Sequence, residues 1–168
     1  MQEKWYVIHT KPRQEARAEE NLNAQGYEVY VPQIKIAKRR RGKWVDVVEP
    51  LFPRYAFIHL TAYEDNFAPI RSTLGVSRLL RFGETPAVVP DSLIESLRAG
   101  EALSGGGFLE SSRIFPKGAE VAIVDGPLAG IKGIVQCDSG KERVVLLLNM
   151  LGRETPTKVS RDDIVPVS

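Results

Sequence analysis

The chain has 168 residues, of which 43% are hydrophobic and 26% are charged, and this ordinary globular composition excludes a chain that is disordered throughout. The formal net charge is only +2 at pH 7, which excludes a broadly basic protein, yet six basic residues and no acidic one lie between Lys35 and Lys43. This local run predicts a negatively charged partner at one place on the surface.

The single cysteine, Cys137, excludes an internal disulfide framework and a cysteine-rich zinc site. The N-terminal residues MQEKWYVIHT lack the features of a signal peptide. No apolar run approaches the ~20 residues that a membrane-spanning helix needs. We therefore expect a cytoplasmic protein without a membrane partner.

In chain order, the residues before position 100 alternate between strand patterns and helix patterns. A hairpin is predicted over 33–50, because two apolar arms flank a turn at Arg41, Gly42 and Lys43. Gly26 and Gly100 stand where helices are expected to end. The remaining strands are predicted over 4–10, 28–32, 54–60 and 77–83, the helices over 13–26 and 90–100, and a short helix or turn over 62–73.

Glycine and serine residues follow this domain. Three consecutive glycines with serines on both sides are typical of a flexible linker, which we place at 101–115. A phosphate-binding loop is not indicated, because the preceding strand, the following helix and the Lys-Ser/Thr pair are missing. Over 116–168, short β-rich runs alternate with turns, which predicts a small closed barrel.

Catalytic and metal-binding patterns are missing from the sequence. His9 and His59, the two histidines, both fall in predicted strands, and the serines lack a suitable histidine partner. The paired carboxylates of Asp162 and Asp163 stand at a turn and are interpreted as a solvated corner. We therefore expect neither an enzyme nor a metal or cofactor site.

Four stretches, in order, resemble the NusG family of transcription elongation factors. WYVIHTKPRQEARAEENL (5–22) and EPLFPRYAFIHL (49–60) resemble the N-terminal NGN domain, and GVSRLLRFGETPAVVP (75–90) looks like that of the specialised RfaH-like branch. KGAEVAIVDGPLAGIKGIV (117–135) resembles a KOW motif. The resemblance implies an α+β fold: an NGN domain (1–100) with a mainly antiparallel sheet and flanking helices, a Gly-rich linker, and an SH3-like KOW barrel (116–168).

Aromatic residues around the strand at 54–60 form the expected partner surface. Tyr55 and Phe57 share a face because side chains alternate along a strand, whereas Ala56 and Ile58 are expected in the core. The resemblance implies that this face docks on the clamp helices of RNA polymerase, and the alternative is that these aromatic residues belong only to the core of the domain. The residues that it assigns to this contact are His9, Phe52, Tyr55, Phe57, Ile94 and Leu97.

Basic residues near the first helix are expected to bind DNA. Arg13 and Arg17 are four residues apart and therefore lie on one helix face. The resemblance implies a contact with the non-template single DNA strand through Lys11, Arg13, Gln14, Arg17, Arg71 and Thr73. The hairpin-tip residues Arg39, Arg40 and Arg41 suit the phosphates of upstream duplex DNA. Solvated surfaces are the alternative at both places.

The apolar stretch RVVLLLNMLGRE (143–154) fits a strand or a helix, because its period is ambiguous. In the RfaH-like branch the tail forms a helical hairpin that covers the polymerase-binding face, and the resemblance implies that Arg143 pairs with Glu49. Here that hairpin would contain Pro127 and several glycines, which cost ~3 kcal/mol and ~1 kcal/mol each inside a helix. We therefore predict a strand in a five-stranded barrel, with the α-helical hairpin packed on the NGN domain as the alternative.

Leu151 would lie near the exposed strand and contact a small-subunit ribosomal protein or a termination factor.

The resemblance implies a monomeric elongation and antitermination factor that binds RNA polymerase and non-template DNA, reduces pausing and termination, and couples to the ribosome. A housekeeping NusG-like general elongation factor and a ribosome- or RNA-binding KOW protein are the alternatives.

Overall fold

A five-stranded antiparallel sheet forms the centre of the front part of the chain. The computed structural model describes residues 3–61, 67–104, 107–110, 134–135, 137 and 139–154. The strands of this sheet are β1 (Glu3–Thr10), β2 (Glu28–Tyr30), β5 (Tyr55–Thr61), β6 (Val76–Leu79) and β9 (Val88–Val89). β1 pairs with β5 along most of its length, while β6 pairs with its end and β9 with its beginning.

Helices cover the two faces of this sheet, and the fold is of the predicted α+β class. The helices are α1 (Glu15–Ala24), α2 (Phe67–Arg71), α3 (Asp91–Ser104) and α4 (Gly140–Glu154). On one face Tyr6 and Ile8 pack in a cluster with Leu22 of α1 and Ile70 of α2. The opposite face begins with Val7, because neighbouring residues of a strand point to opposite sides.

The second apolar cluster joins this opposite face to α3 and α4. It contains Trp5, Val7 and Phe57 from the sheet and Leu97 from α3, all of them buried. Leu147 of α4 belongs to the same cluster. The sheet is therefore enclosed between α1 with α2 on one side and α3 with α4 on the other.

The predicted hairpin over 33–50 is confirmed. β3 (Gln33–Arg40) and β4 (Lys43–Pro50) pair in a continuous antiparallel register, with Arg40 opposite Lys43. The two residues of the connecting turn, Arg41 and Gly42, have positive φ angles of 51° and 76°. Positive φ at both positions is the geometry of a type I′ turn, whose twist suits the strands that it joins.

The helix ends follow the sequence signals in one case and depart from them in another. α1 ends just before Gly26, whose φ of +95° is the left-handed conformation that glycine adopts readily. α3, in contrast, continues through Gly100, so the end predicted there is wrong. Gly100 is buried, and the next residue, Glu101, accepts a hydrogen bond from the backbone N–H of Gln33 at 3.4 Å. Packing against the hairpin therefore extends the helix beyond its local end signal.

Two further predictions are corrected by backbone hydrogen bonds. The single strand predicted over 77–83 is interrupted at Leu80, whose N–H donates to the Val7 carbonyl at 2.8 Å. After it comes a second ribbon, formed by β7 (Arg81–Phe82) and β8 (Thr85–Pro86). The expected flexible linker at 101–115 includes Leu109, which is fully buried. Its N–H donates to the Gln33 carbonyl at 2.7 Å, so this part of the segment is fixed to the hairpin.

The strand predicted for 143–154 is also wrong, because these residues form α4. The helix begins after Ser139, whose hydroxyl accepts a hydrogen bond from the Lys141 N–H at 3.2 Å. Arg143, Leu147 and Leu151 are its fully buried residues, and their spacing of four places them on one helical stripe. Tertiary contact with the sheet thus decides a pattern that is locally ambiguous.

The helical alternative therefore holds for this part of the tail. Ile134 and Val135 are also helical and buried in the cluster below α4. The other strands of the predicted barrel and the residues 125–133 lie outside the described ranges. Within the described parts of the chain, each helix is too short or too polar to cross a membrane.

Candidate functional site

The predicted partner surface is a continuous apolar cluster, which we call the aromatic face and define as Phe52, Tyr55, Phe57, Ile94 and Leu97. The Phe52 and Phe57 rings meet edge to face with centroids 5.9 Å apart. Both rings are only 1% exposed, whereas Tyr55 is half-buried at the edge. β5 supplies Tyr55 and Phe57 to one side of the sheet, as predicted, and it directs Ala56 and Ile58 to the other cluster.

His9 lies beside the aromatic face. It is opposite Tyr55 in the register of β1 and β5, and the two rings meet edge to face at 5.0 Å. Burial lowers the pKa of His9, and the positive charges of Arg54 and Arg78 lower it further. The imidazole is therefore neutral at pH 7 and behaves as part of an aromatic surface.

The tail covers the aromatic face. Leu147 and Leu151 of α4 are fully buried within the cluster that contains Phe52 and Phe57. Val144 and Leu148, which are partly buried, pack against its edge. The rings are thus enclosed by residues that come from a part of the chain about ninety positions away, beyond the front domain itself.

A buried arginine fixes α4 in this position. The Arg143 side chain is fully buried, and its guanidinium donates three hydrogen bonds: from Nε to the Leu51 carbonyl at 2.8 Å, from Nη1 to the Cys137 carbonyl at 2.9 Å, and from Nη2 to Glu49 Oε1 at 2.7 Å. We call Arg143 with these three acceptors the Arg143 latch. The pair with Glu49 that the resemblance implies is thus brought together, and its backbone partners are additional to it.

Glu49 has a second cation beside it. Lys38, on the neighbouring strand of the hairpin, approaches Glu49 Oε2 at 2.8 Å. Burial by itself raises the pKa of Glu49, but the hydrogen bonds and charges of Lys38 and Arg143 outweigh it and leave the pKa below its ordinary value. Glu49 is therefore ionised at pH 7 and holds one cation from the hairpin and one from the tail.

The first turn of α4 lies directly against the loop between β4 and β5. A Cβ atom placed on Gly140 would lie 2.5 Å from Pro53 Cγ and 2.9 Å from Pro53 Cδ. The absence of a side chain at Gly140 thus allows the helix to approach this loop. Pro53 follows two residues after Leu51, which accepts the hydrogen bond from Arg143.

The two groups of predicted DNA-binding residues around α1 are brought to one place. Gly75 has a φ of +91°, and a Cβ atom there would lie 2.9 Å from the Ala18 backbone nitrogen, so the turn after α2 packs tightly on α1. The Lys11 N–H donates to the Gly75 carbonyl at 2.8 Å. The cationic members of this group, all of them exposed, are Lys11, Arg13, Arg17 and Arg71.

The uncharged members of the group are less accessible. Gln14 is half-buried just before α1. Thr73 is only 8% exposed, and its hydroxyl donates to the Pro69 carbonyl at 2.8 Å and accepts from Gln25 Nε2 at 2.7 Å. Its hydrogen-bonding capacity is thus largely used within the protein.

The hairpin tip and Leu151 complete the predicted set. Arg39, Arg40 and Arg41 are exposed at the end of the ribbon, and Trp44, to which the sequence patterns gave no role, lies beside them. Leu151, expected near the surface of a barrel, is instead fully buried on the side of α4 that packs against the core. Within the described residues, no three side chains of the metal-binding types are grouped as a metal site.

Comparison with known proteins places this architecture in a family. A family profile described as "Transcription termination factor nusG" matches residues 3–98. The chain is 28% identical over 174 residues to the transcription termination/antitermination protein NusG of Bacillus subtilis (strain 168), covering 95% of this chain and 96% of that protein. It is 26% identical over 171 residues to the protein of the same name from Rickettsia bellii (strain RML369-C), covering 94% and 86%.

A solved structure described as "Domain interaction in Thermotoga maritima NusG" is also similar, at 23% identity and a TM-score of 0.41, over 75% of this chain and 70% of that chain. The profile match covers more than half of the chain and includes β1, β5 and most of α3. This chain therefore belongs to the NusG family of transcription termination and antitermination factors, which act with RNA polymerase and are not enzymes.

Proposed function

We propose that this protein is a specialised, RfaH-like member of the family, in which the aromatic face docks on the clamp helices of RNA polymerase and the tail controls access to that face. The carrying observation is that Leu147 and Leu151 of α4 are buried in the cluster of the aromatic face, while the Arg143 latch holds this helix in place. A housekeeping NusG-like factor, the alternative, acts at most genes and has no need for a covered face.

The polymerase contact is supported by the composition of the aromatic face. Aromatic and large aliphatic side chains grouped in one patch are the usual anchors of protein interfaces. Helix α4 supplies apolar residues at positions four apart, so it has the pattern by which a helix from a partner packs against such a patch. We propose that the clamp helices replace α4 on this surface.

Control by the tail requires a population shift. If the polymerase binds only the form in which α4 is released, its apparent affinity is reduced by the fraction of molecules in that form. A second ligand that favours release then raises the affinity for polymerase. We propose that the non-template DNA strand is this ligand, so that activity is confined to particular transcription complexes.

DNA recognition is proposed for the surface around α1 and the turn after α2. Lys11, Arg13, Arg17 and Arg71 are exposed on adjoining segments, and they suit the phosphates of a single strand. Gln14 would contact a base edge. Thr73 is held by Gln25 and Pro69, so we propose that it fixes this turn.

The hairpin tip and the released tail extend the proposal. Arg39, Arg40 and Arg41 would contact the phosphates of upstream duplex DNA, adding affinity that decreases with salt. We propose that the released tail, over residues 116–168, would act as a KOW domain. Leu151 would then be accessible to a small-subunit ribosomal protein or a termination factor, in an otherwise monomeric cytoplasmic factor.

The test is the affinity of the full-length chain for core RNA polymerase when the latch is weakened. Glu49→Gln removes the carboxylate that accepts from Arg143, and Lys38→Gln is the matched control because Lys38 contacts the same carboxylate and has no hydrogen bond or ion pair with the described residues of the tail. We expect Glu49→Gln to bind about 10-fold more tightly than the wild type, because one charged hydrogen bond of ~1.5 kcal/mol or more no longer holds α4 in place.

The same titration separates the candidate functions. Equal affinity of the wild type and Glu49→Gln would contradict control by the tail and favour a general NusG. Tyr55→Ala in the Glu49→Gln background tests the surface itself, since Tyr55 lies at the edge of the aromatic face. We expect at least a 10-fold loss of affinity, typical of an interface anchor. Unchanged affinity would contradict docking through this face.

A further inference from the structure

The hairpin of β3 and β4 carries an exposed tryptophan. Trp44 has 68% of its surface accessible, although tryptophan is a residue that folding usually encloses. Arg39 is directly opposite Trp44 in the strand register, and residues directly opposite each other share a face of the ribbon. The Arg39 guanidinium carbon lies 6.0 Å from the centre of the Trp44 ring. The pair thus presents a flat aromatic surface next to a flat cation.

Positive charge at this end of the ribbon is uncompensated. Toward the base, Lys35 approaches Asp46 and Glu110 at 3.8 Å, and Lys38 approaches Glu49 at 2.8 Å. Toward the tip, the basic residues have no ion pair with any residue in the described ranges, and all of them are exposed. These residues are Arg39, Arg40, Arg41 and Lys43.

Single-stranded nucleic acid is the partner that matches this combination. Its phosphates supply regularly spaced negative charge, and each unpaired base exposes an aromatic face. Tryptophan rings stack on bases without regard to sequence, and guanidinium groups stack on them as well. An acidic protein surface would match the charge but would leave the exposed ring without a flat partner.

We propose that Trp44 and Arg39 form a stacking site for an unpaired base, while Arg40, Arg41 and Lys43 hold the neighbouring phosphates. The proposal rests on the proposed function in one respect, namely that the tip arginines bind nucleic-acid phosphate. It goes further in assigning a role to Trp44 and in the chemical state of the ligand, which has an unpaired base. A duplex, whose bases are stacked internally, would use the arginines alone.

Intrinsic fluorescence of the full-length chain tests the site directly. The chain has two tryptophans, and Trp5 is only 5% exposed, with its ring against His59 and Arg98. Quenching by an oligonucleotide therefore reports on Trp44. We expect short oligothymidylate and oligouridylate to quench the emission, whereas a blunt hairpin duplex quenches it much less.

The affinity is measured in parallel with labelled oligonucleotides. We expect Trp44→Leu to weaken single-strand binding about 10-fold, the size of one base-stacking contact, and to leave duplex binding unchanged. Leu103→Ala, a change at another exposed hydrophobic residue, is the control and should have no effect on either. A preference for the deoxy or the ribo oligonucleotide identifies the nucleic acid that the site selects, and either preference supports the proposal.

Three results would overturn the stacking site. The first is that Trp44→Leu binds single-stranded oligonucleotides with the affinity of the wild type. The second is that the duplex quenches the fluorescence of the wild type as strongly as the single strand does. The third is a Trp44→Leu chain that loses polymerase affinity without losing oligonucleotide affinity, which would make Trp44 a protein contact. A triple variant distinguishes the stacking site from the phosphate contact of the proposed function, and it carries Arg39→Gln, Arg40→Gln and Arg41→Gln. If this triple change removes duplex binding while Trp44→Leu has no effect, the phosphate contact remains and the stacking site does not.

Discussion

Arg143 shows how a single residue can specify one arrangement of a tail on a domain. A buried guanidinium is tolerated only when its N–H groups find acceptors, because the loss of water around a charge is costly. Here a carboxylate and two backbone carbonyls accept from it at 2.7 to 2.9 Å. Any shift of α4 along the sheet would break these bonds, so the latch fixes the position of the helix as well as its presence.

The first prediction concerns the pH dependence of this latch. Burial raises the pKa of Glu49, but the hydrogen bonds and charges of Lys38 and Arg143 both lower it, so that in the docked state it lies below its ordinary value. Lys38 stays on the hairpin, whereas Arg143 leaves with α4, so the Arg143 contribution favours docking when Glu49 is ionised. The stabilisation is therefore complete above the ordinary carboxyl pKa and is lost as the pH falls through the lowered pKa. We expect the hydrogen-exchange protection of the α4 amides, corrected for intrinsic rates, to decrease in that acidic range.

Glu49→Gln provides the comparison for this pH profile. We expect the α4 amides of this variant to be less protected from hydrogen exchange at pH 7. Their protection should not decrease further through the acidic range in which Glu49 titrates, because glutamine does not titrate. Burial raises the pKa of Glu19 and of Glu101, so these groups titrate in the opposite sense, and both are the same in the two proteins. Parallel profiles for the wild type and the variant would show that the Glu49 carboxylate does not stabilise the docked helix.

Helix α4 shows why the local sequence pattern does not decide between a strand and a helix. The run from Val144 to Leu148 is apolar at every position and so has no clear period. A helix signal does precede it, since Ser139 and Glu142 have the spacing of a capping box, and the Ser139 hydroxyl accepts from the first turn. This signal is short, and the residues Asp138, Ser139 and Gly140 are equally typical of a turn. The surface that decides for a helix is contributed by residues such as Phe57, far away in the chain.

The second prediction uses the close approach of this helix to Pro53. Gly140→Ala should favour helix formation by ~1 kcal/mol in isolation, but its new methyl group would lie 2.5 Å from Pro53 Cγ. We expect the steric clash with Pro53 to outweigh the gain in helix propensity. The α4 amides of the variant should then be less protected from hydrogen exchange, and the variant should bind polymerase more tightly. Lys141→Ala, one residue later and exposed, has no such contact and is the control. Stronger protection in Gly140→Ala would show that the loop can move aside at little cost.

At the scale of the whole molecule, the central sheet has two apolar faces that are covered differently. One face is closed by α1 and α2, which lie within the front domain, whereas the other is closed by α3 and by a helix from the distant tail. We expect that α4 can leave this face without unfolding the sheet. This asymmetry is what makes a regulated binding surface possible on an otherwise ordinary α+β domain.

The third prediction tests this separation. Leu147→Lys places a charge on the fully buried stripe of α4, and we expect it to release the helix while the sheet remains folded. Binding of an apolar dye and affinity for polymerase should both increase, with the near-ultraviolet signal of the buried Trp5 preserved. Leu103→Lys makes the same change at a residue that is 63% exposed and should resemble the wild type. A Leu147→Lys chain that loses the Trp5 signal would show that the tail is part of the cooperative core.

Much of the front domain could be predicted from local signals. The hairpin follows from the Arg41–Gly42 turn, and the alternation of Tyr55 and Phe57 with Ala56 and Ile58 assigns the two faces of β5. The pairing of Glu49 with Arg143 came from the family resemblance, since no local pattern joins residues so far apart in sequence. The position of Trp44 opposite Arg39 follows from the turn, but its exposure does not, because an apolar residue in a strand pattern is equally compatible with a buried face.

One acceptor of the Arg143 latch has a consequence for how such proteins diverge. The bond from Nε to residue 51 ends on a main-chain oxygen, which every amino acid supplies, and the N–H of the same residue donates to the Pro32 carbonyl at 2.8 Å. A substitution at position 51 that still fits the core, where Leu51 is fully buried, therefore keeps this one of the three acceptors. If the closed form is lost in a lineage, we therefore expect the change at one of the two side chains of the latch, Arg143 or Glu49, so these two positions together would distinguish closed from permanently open descendants.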